Sequence, residues 1–583
     1  MRRVVAAAAI ALALAGPALA GSGPPPPLPS PLASTSPRLT EAQVKRIFLD
    51  DDKVADWLRH YPRRLWQTYA TFKDGSWKVE VWERSPGKAG ELALGRVDDD
   101  TGAVTEAWTG PQVAWKMARG YDGAFGGREL NSAPVWLGFC LLFLLGLGDL
   151  RRPLSLRNLD LLVLLSFSVS LWFFNRGDIF TSVPLAYPPL LYLLLRMVWS
   201  AWRGRLATGA APVWPVWVLA AATVFAAGFR IGLNTRTSNV IDVGYSGVVG
   251  ANRIANGEAP YGHFPVEEGR ACGPADIDGE IRNRIQTNGR CESANPQGDT
   301  YGPVAYEVYL PGYLLLGWSG KWDDLPAAHF ASIAFDLLCA LGLALVGLRF
   351  GGARLAVTLA FAWVAYPFTQ YVSSSNTNDA LPPLFLIWGF WLVTSPWARG
   401  AAVALSGWTK FAPLVLGPLW ASYPERRLRP TLAFAAAGVL ATLAAFSILL
   451  LEPSPIHAVR VFWDRTLGWQ LDRQSPFSLW DWRQYHAGLP DLHLVRRVLE
   501  VLLAVGALAV YVVPRRKSPV QLAALTAALL LGTQLVLTHW FYLYLPWFFP
   551  FAAFAVLAPA AEPLRAAVRQ PLERPRQELV GVD

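Results

Sequence analysis

Asp242 stands where a long apolar run gives way to a polar stretch, Ser238 to Tyr261. A carboxylate fixed at the edge of a membrane span is suited to take a proton from a hydroxyl group, the task of a general base. The pattern predicts a helix that opens at Asp242, with Ser238 or Asn239 as cap and Asn256-Gly257 as its end. Tyr245 then lies one turn on and shares a face with Asp242. Gly244, Gly247 and Gly250 recur at spacing three and let another backbone approach on one side. Glu258 is a reserve base. The plainer role for Asp242 is an acid at the positive end of a helix.

Cations form the second group of candidates. Lys410 is the first candidate, because a charge inside an apolar run is costly and usually functional. Its plainer role is a lysine that snorkels to the interface. Arg473 is the second, in a loop that also holds Arg465 and Arg483; a simple salt bridge to Asp464 or Asp472 is open for each. Trp469 and Trp480 sit in the same loop. They offer aromatic faces to a ligand, or belong to an interfacial belt. Asn378 and Asp379 end a polar cluster that begins at Ser373; Asp379 is a second acidic contact or a helix cap. His539 reads as structural.

The chain has no phosphate-binding glycine fingerprint, which argues against a nucleotide-driven enzyme. No His/Cys cluster has zinc spacing, so no metal site or cofactor is expected. A divalent ion between Asp242 and Asp379 has no support. Cys272 and Cys291 share the polar loop after Asp242. In an oxidising compartment they would form a disulfide, contributing about 3 kcal/mol by the chain-entropy argument.

The elements that must position these residues are mostly apolar. Of 583 residues, 53% are hydrophobic and 16% charged, with 26 Trp, 29 Phe and 18 Tyr. A soluble chain is nearer 25% charged, so the class is multi-pass membrane protein. The net charge of +9 comes from Arg clusters in short loops and the tail, the positive-inside pattern. Nucleic acid is therefore not an expected partner.

Residues 1–20 read as a signal peptide and 21–38 as a Pro-rich linker. Residues 39–133 read as a small α+β domain. A helix is expected over Thr40 to Tyr61, then an antiparallel pair over Tyr69 to Trp82. A second pair, Glu91 to Val97 and Ala103 to Trp108, flanks the turn Asp98–Gly102. Asp98 to Asp100 fit a turn better than a metal site.

Residues 134–560 read as about 11–13 membrane spans, followed by a basic cytoplasmic tail, 561–583. Charge bias favours an arrangement in which 303–318 is a surface or re-entrant element and 400–421 a hairpin broken near Lys410-Phe411-Ala412-Pro413. The loops 234–302 and 452–492 and the Ser373–Asp379 cluster then meet outside the plasma membrane, with the N-terminal domain.

Two resemblances add to this reading. The helix and small sheet, with Trp77-Lys78-Val79 and Val97 to Val104, resemble a PepSY domain. Asp242, the helix to Asn256, Gly257 and Pro260-Tyr261, then Asn376 to Asp379 and Lys410-Phe411-Ala412-Pro413, resemble in order the type C glycosyltransferases, specifically the polyprenyl-phosphate-mannose-dependent family (glycosyltransferase family 87). Tyr301-Gly302-Pro303 and Tyr309-Leu310-Pro311 match the family's Tyr-x-Pro imperfectly. The insert holding Cys272 and Cys291 departs from its short loop. The resemblance implies an inverting transfer of a sugar, mannose first, from a polyprenyl-phosphate donor to an outer glycan or glycolipid acceptor. It implies Asp242 as base, Lys410 and Arg473 at the donor phosphate, and Tyr245, Glu258, Tyr261, Asn378, Asp379, Trp469 and Trp480 at substrate. The competing expectations are a transporter or flippase of lipid-linked glycans, for which only Lys410 and Asp336 are buried charges, and a sensor or assembly protein built on the PepSY-like domain.

Overall fold

The computed structural model describes residues 36–84, 90–120, 123–203, 214–264, 284–285, 291–292, 298–321 and 324–558. The signal, most of the linker, the tail and Cys272 lie outside these residues, and of Cys291 only the backbone is described, so the expected disulfide lies outside them too.

The N-terminal unit is α+β. Helices α1 (Glu41–Leu49) and α2 (Asp52–Leu58) precede a four-stranded antiparallel meander, β1 (Trp66–Lys73), β2 (Ser76–Glu83), β3 (Glu91–Asp98) and β4 (Val104–Thr109). Thr40 and Gln43 form a reciprocal capping box. One continuous helix was expected up to Tyr61, but the chain breaks at Asp50–Asp51, because the Asp51 carboxylate accepts the N–H groups of Lys53 and Val54 and starts a new helix. Val44, Phe48, Val54 and Leu58 are buried against Trp77, Val79, Val81 and Val97. The Asp98–Gly102 segment is a turn, as expected: Asp98 accepts from the Thr101 N–H at 2.8 Å and hydroxyl at 2.7 Å. Asp99 turns inward to accept the Trp77 indole N–H at 2.8 Å.

The rest is a bundle of apolar helices: α3 (Ala133–Leu147), α4 (Leu156–Phe174), α5 (Ile179–Arg203), α6 (Val216–Thr237), the shorter α7 (Asp242–Ala255), α8 (Pro326–Ala365), α9 (Pro367–Ser374), α10 (Leu381–Trp391), α11 (Pro396–Gly407), α12 (Leu428–Ala445), α13 (Pro455–Trp463), α14 (His493–Ala509), α15 (Pro519–Val536) and α16 (Leu545–Leu557). Among the described residues, six helices are long and apolar enough to cross a membrane. The protein is thus a polytopic helical protein with a small α+β unit. α16 is buried almost throughout and forms the centre of the bundle.

α8 is two antiparallel arms. Gly352 takes φ 70°, open to glycine at little cost. A side chain at Gly347 would run into the backbone of Ala356 in the returning arm. The Trp363 indole N–H reaches Asp336 Oδ1 across the arms at 2.8 Å. The two spans expected here are therefore a hairpin with the glycine pair at its tip.

Two segments singled out by charge bias, 303–318 and 400–421, are both interrupted. Residues 303–318 fold as Val304–Glu307 and Leu310–Leu316, each too short to cross a bilayer. Residues 400–421 form a hairpin: α11 rises, the chain turns at Trp408–Phe411, and Ala412–Leu416 and Gly417–Ala421 return. Arg399 Nε donates to the carbonyl of Trp420 at 2.9 Å, so the two ends are neighbours. Lys410 sits at the tip. At the far end from that tip, Arg349 bonds Thr394, Arg399 bonds Val393, and Arg516 pairs with Glu425. The cationic loops thus share one end of the bundle and the sheet unit takes the other.

Candidate functional site

α7 is held in place by its glycines. A side chain at Gly244 would strike the carbonyl of Asn376, at Gly247 the ring of Tyr309, and at Gly250 the ring of Tyr306. The expected small-residue face is the packing face. The expected caps do different work: the Ser238 hydroxyl donates to Asn234 and the Asn239 amide to Gly123, while Ile241 takes the cap position without a side-chain bond. At the other end, Asn256 and Gly257, with φ 83°, close the helix as expected. Asp242 therefore starts the helix, and its Oδ1 accepts its neighbour Val243's N–H at 3.0 Å.

Across from α7, Asn378 and Asp379 lie in a buried turn before α10. The Thr377 hydroxyl caps that turn, accepting from the Asp379 N–H at 3.2 Å. The carboxylate is thereby left to Lys410, whose Nζ is 3.3 Å from Asp379 Oδ1 with both side chains buried. Among the described residues Asp379 Oδ1 and Oδ2 and Asn378 Oδ1 make no hydrogen bond of good geometry, although the Thr377 hydroxyl and the Trp547 indole also lie near the carboxylate. Lys410 Nζ also lies 4.2 Å from the centre of the Tyr301 ring and 5.8 Å from that of Tyr544.

Arg473 completes the cluster. Its guanidinium lies over the Trp469 ring at 4.6 Å and the Trp115 ring at 5.4 Å. It donates to His539 Nε2 at 3.2 Å, and its own Nε has no partner. A guanidinium only donates, so His539 Nε2 accepts and Nδ1 carries the proton, which it donates to the Ser475 hydroxyl at 2.9 Å. Burial holds His539 well below its ordinary range, with help from Arg473 and then Lys410. Arg473 is itself pulled down by burial, and Tyr544, Tyr301 and Asp242 counter the fall. Asp242, Asp379, Lys410, Arg473, Tyr301, Tyr544 and His539 lie within electrostatic range of one another in this one place. Asp242, Tyr301, Arg473, His539 and Tyr544 each keep part of their surface accessible.

The rival arginines are committed elsewhere. Arg465 makes a bidentate pair with the buried Asp299, at 2.8 and 2.5 Å, and Arg483 pairs with Asp491 at 3.1 Å. Arg473 has no carboxylate partner among the described residues.

Other expected residues fall outside the cluster. Glu258 is exposed and pairs with Arg253 at 2.9 Å across the end of α7. Tyr245 is buried with its ring edge-on to Trp318, because the face it shares with Asp242 turns into the bundle. Tyr261 is buried behind the cluster and donates to the carbonyl of Tyr301 at 3.0 Å, so it holds a cluster residue in place. Trp480 donates to the carbonyl of Leu535 at 3.0 Å and lines an apolar groove of about 820 Å³ between α5, α14 and α15. Trp469 alone of the two tryptophans reaches Arg473.

Tyr301, Tyr544, His539 and Trp115 were not expected as site residues. Tyr301 carried a signal in its Tyr-Gly-Pro motif. Tyr544, His539 and Trp115 carried none that local spacing reveals, since folding alone brings them in.

Among the described residues no group of three His, Cys, Asp or Glu side chains is placed to hold a metal ion. Comparison of the chain with protein-family models, curated proteins and solved structures finds no match in any of them.

Proposed function

We propose that this cluster is the active site of a membrane glycosyltransferase that uses a polyprenyl-phosphate sugar, with mannose the first candidate. The observation that carries the proposal is the convergence of Asp242, Lys410 and Arg473. They come from three separate segments, and each was singled out by chemistry before its neighbours were known. In this reading Asp242 takes the proton of an acceptor hydroxyl, and that oxygen attacks the anomeric carbon. The bond to phosphate oxygen breaks with inversion, and polyprenyl phosphate leaves with both electrons of that bond. Lys410 and Arg473 offset the charge that grows on the leaving phosphate, the kind of electrostatic stabilisation that dominates many such sites. Asp379 fixes Lys410. The acceptor is a glycan or glycolipid, and the site faces the outside of the plasma membrane, the side that the Arg-rich loops avoid.

The test is transfer of labelled mannose from polyprenyl-phosphate mannose in membranes carrying the full chain. Transfer by the wild type, lost in Asp242→Asn, is the expected result. No transfer from any lipid-linked sugar would overturn the reading.

One observation bears on the transporter alternative. Beyond Lys410 and Asp336, the helices also bury Arg157, Arg230, Arg399, Asp160, Arg196 and Arg496. Sequence reading missed Arg230, Arg399, Asp160 and Arg196 because their partners lie on other helices. Arg230 is locked to Asp336, Arg196 to Asp160 at 3.0 Å, and Arg399 to main-chain carbonyls. Charges paired in the way of Arg230, Arg196 and Arg399 brace a bundle and do not line a path.

A further inference from the structure

The strap that joins the sheet unit to the first span, Gly110 to Ser132, crosses the same end of the bundle as the cluster. The Gln112 amide donates to the carbonyl of Gly177 at 3.0 Å. Gly127 packs so tightly on Thr237 that a side chain would strike its carbonyl. Between these anchors, Trp115 turns inward. Its indole N–H donates to the Tyr485 hydroxyl at 3.2 Å. Its ring lies 5.7 Å from that of His539, 5.7 Å from Phe477, and under the Arg473 guanidinium. Arg473 therefore lies within cation–π range of two indole rings, Trp469 from its own loop and Trp115 from the N-terminal part of the chain.

The sheet unit itself is docked on the same loop. Trp57 stacks on Phe180 at 5.8 Å and meets His486 edge-on at 5.0 Å. The Tyr61 hydroxyl accepts the Ala487 N–H at 3.3 Å. Tyr485 is thus gripped by Trp115 while its neighbours are gripped by the sheet unit.

We propose that Trp115 is a positioning residue: it and Trp469 clamp the Arg473 guanidinium, so the N-terminal unit sets the affinity of the site for the donor's phosphate. This rests on the phosphate-binding role given to Arg473 above. The physical basis is the attraction of a guanidinium to an indole face. It also rests on orientation, since a long side chain held by two ring contacts loses less freedom when it binds an anion.

The test uses purified full-length protein and farnesyl phosphate as probe, with affinity measured for wild type, Trp115→Ala, Trp115→Phe, Arg473→Ala and the Trp115→Ala/Arg473→Ala double variant. Trp115→Ala should weaken binding about tenfold, the size of a desolvated cation–π contact. Trp115→Phe should recover most of that loss. The double variant should bind no worse than Arg473→Ala alone, because Trp115 acts through Arg473. Thermal unfolding shows whether Trp115→Ala is folded, and Trp115→Phe carries the test if it is not. Full binding by Trp115→Ala, no recovery with phenylalanine, or additive losses in the double variant would overturn the proposal. A wild type that does not bind farnesyl phosphate would overturn the phosphate-site reading itself, and this inference with it.

Discussion

Lys410 Nζ lies 3.3 Å from Asp379 Oδ1, with both side chains buried where a broken hairpin meets a polar turn. The lysine is held at the hairpin tip by a partner and does not snorkel away. Among the described residues neither carboxylate oxygen makes a hydrogen bond of good geometry, so the ion pair with Lys410 is the main tie on this carboxylate.

Removing one member of this pair should destabilise the fold. Lys410→Met leaves a buried carboxylate alone, which costs about 3–5 kcal/mol for such pairs. Lys410→Met/Asp379→Leu should recover much of the thermal stability, while donor binding stays lost. Thermal unfolding in detergent, read beside farnesyl phosphate binding, checks both. A double variant no more stable than the single one would show that the pair does not act as a unit.

Gly247→Ala should be disruptive, because its new methyl group would enter the Tyr309 ring. Overpacking of this kind costs about 1–3 kcal/mol and would shift α7, and Asp242 with it. Gly228→Ala, on a face of α6 with nothing within 4 Å, should change stability by less than about 1 kcal/mol. Melting temperatures of the two variants settle the comparison.

His539 gives the protein an acid-sensitive side. Its folded-state value lies well below the ordinary 6.5 because of burial and of Arg473 and Lys410. The unfolded chain therefore binds this proton more readily than the folded one. Its contribution is fully present above 6.5 and is lost as pH falls toward the folded value. The slope is at most about 1.4 kcal/mol per pH unit. Unfolding curves from pH 7.5 to pH 5, about the range where such a group would titrate, should fall less steeply for His539→Asn than for wild type. Parallel curves would contradict the burial of the imidazole among cations.

The bundle was legible from the sequence because apolar length and arginine placement act locally. The spans near α3 to α6, the glycine face of α7 and the broken hairpin at Lys410 all followed from such signals. Asp242, Lys410 and Arg473 were legible as chemical outliers in their surroundings. What was hidden depended on partners distant in the chain. Tyr245 was turned inward with the buried face of α7, and Trp480 was taken by the backbone of α15; Glu258 was drawn off by the nearby Arg253. Asp51 broke a helix that hydrophobic spacing carried straight through it. Trp115 had no local mark, since its place beside Arg473 is set by how the strap lies across the bundle.

The base role of Asp242 is tested most directly by comparing transfer and binding in one variant. Asp242→Asn keeps the shape of the side chain and removes a negative charge within electrostatic range of Lys410 and Arg473, so farnesyl phosphate binding should hold or tighten. Its transfer of labelled mannose from polyprenyl-phosphate mannose should fall by on the order of 10²–10⁴, the size of a lost general base. Transfer by Asp242→Asn at the wild-type rate would contradict the assignment.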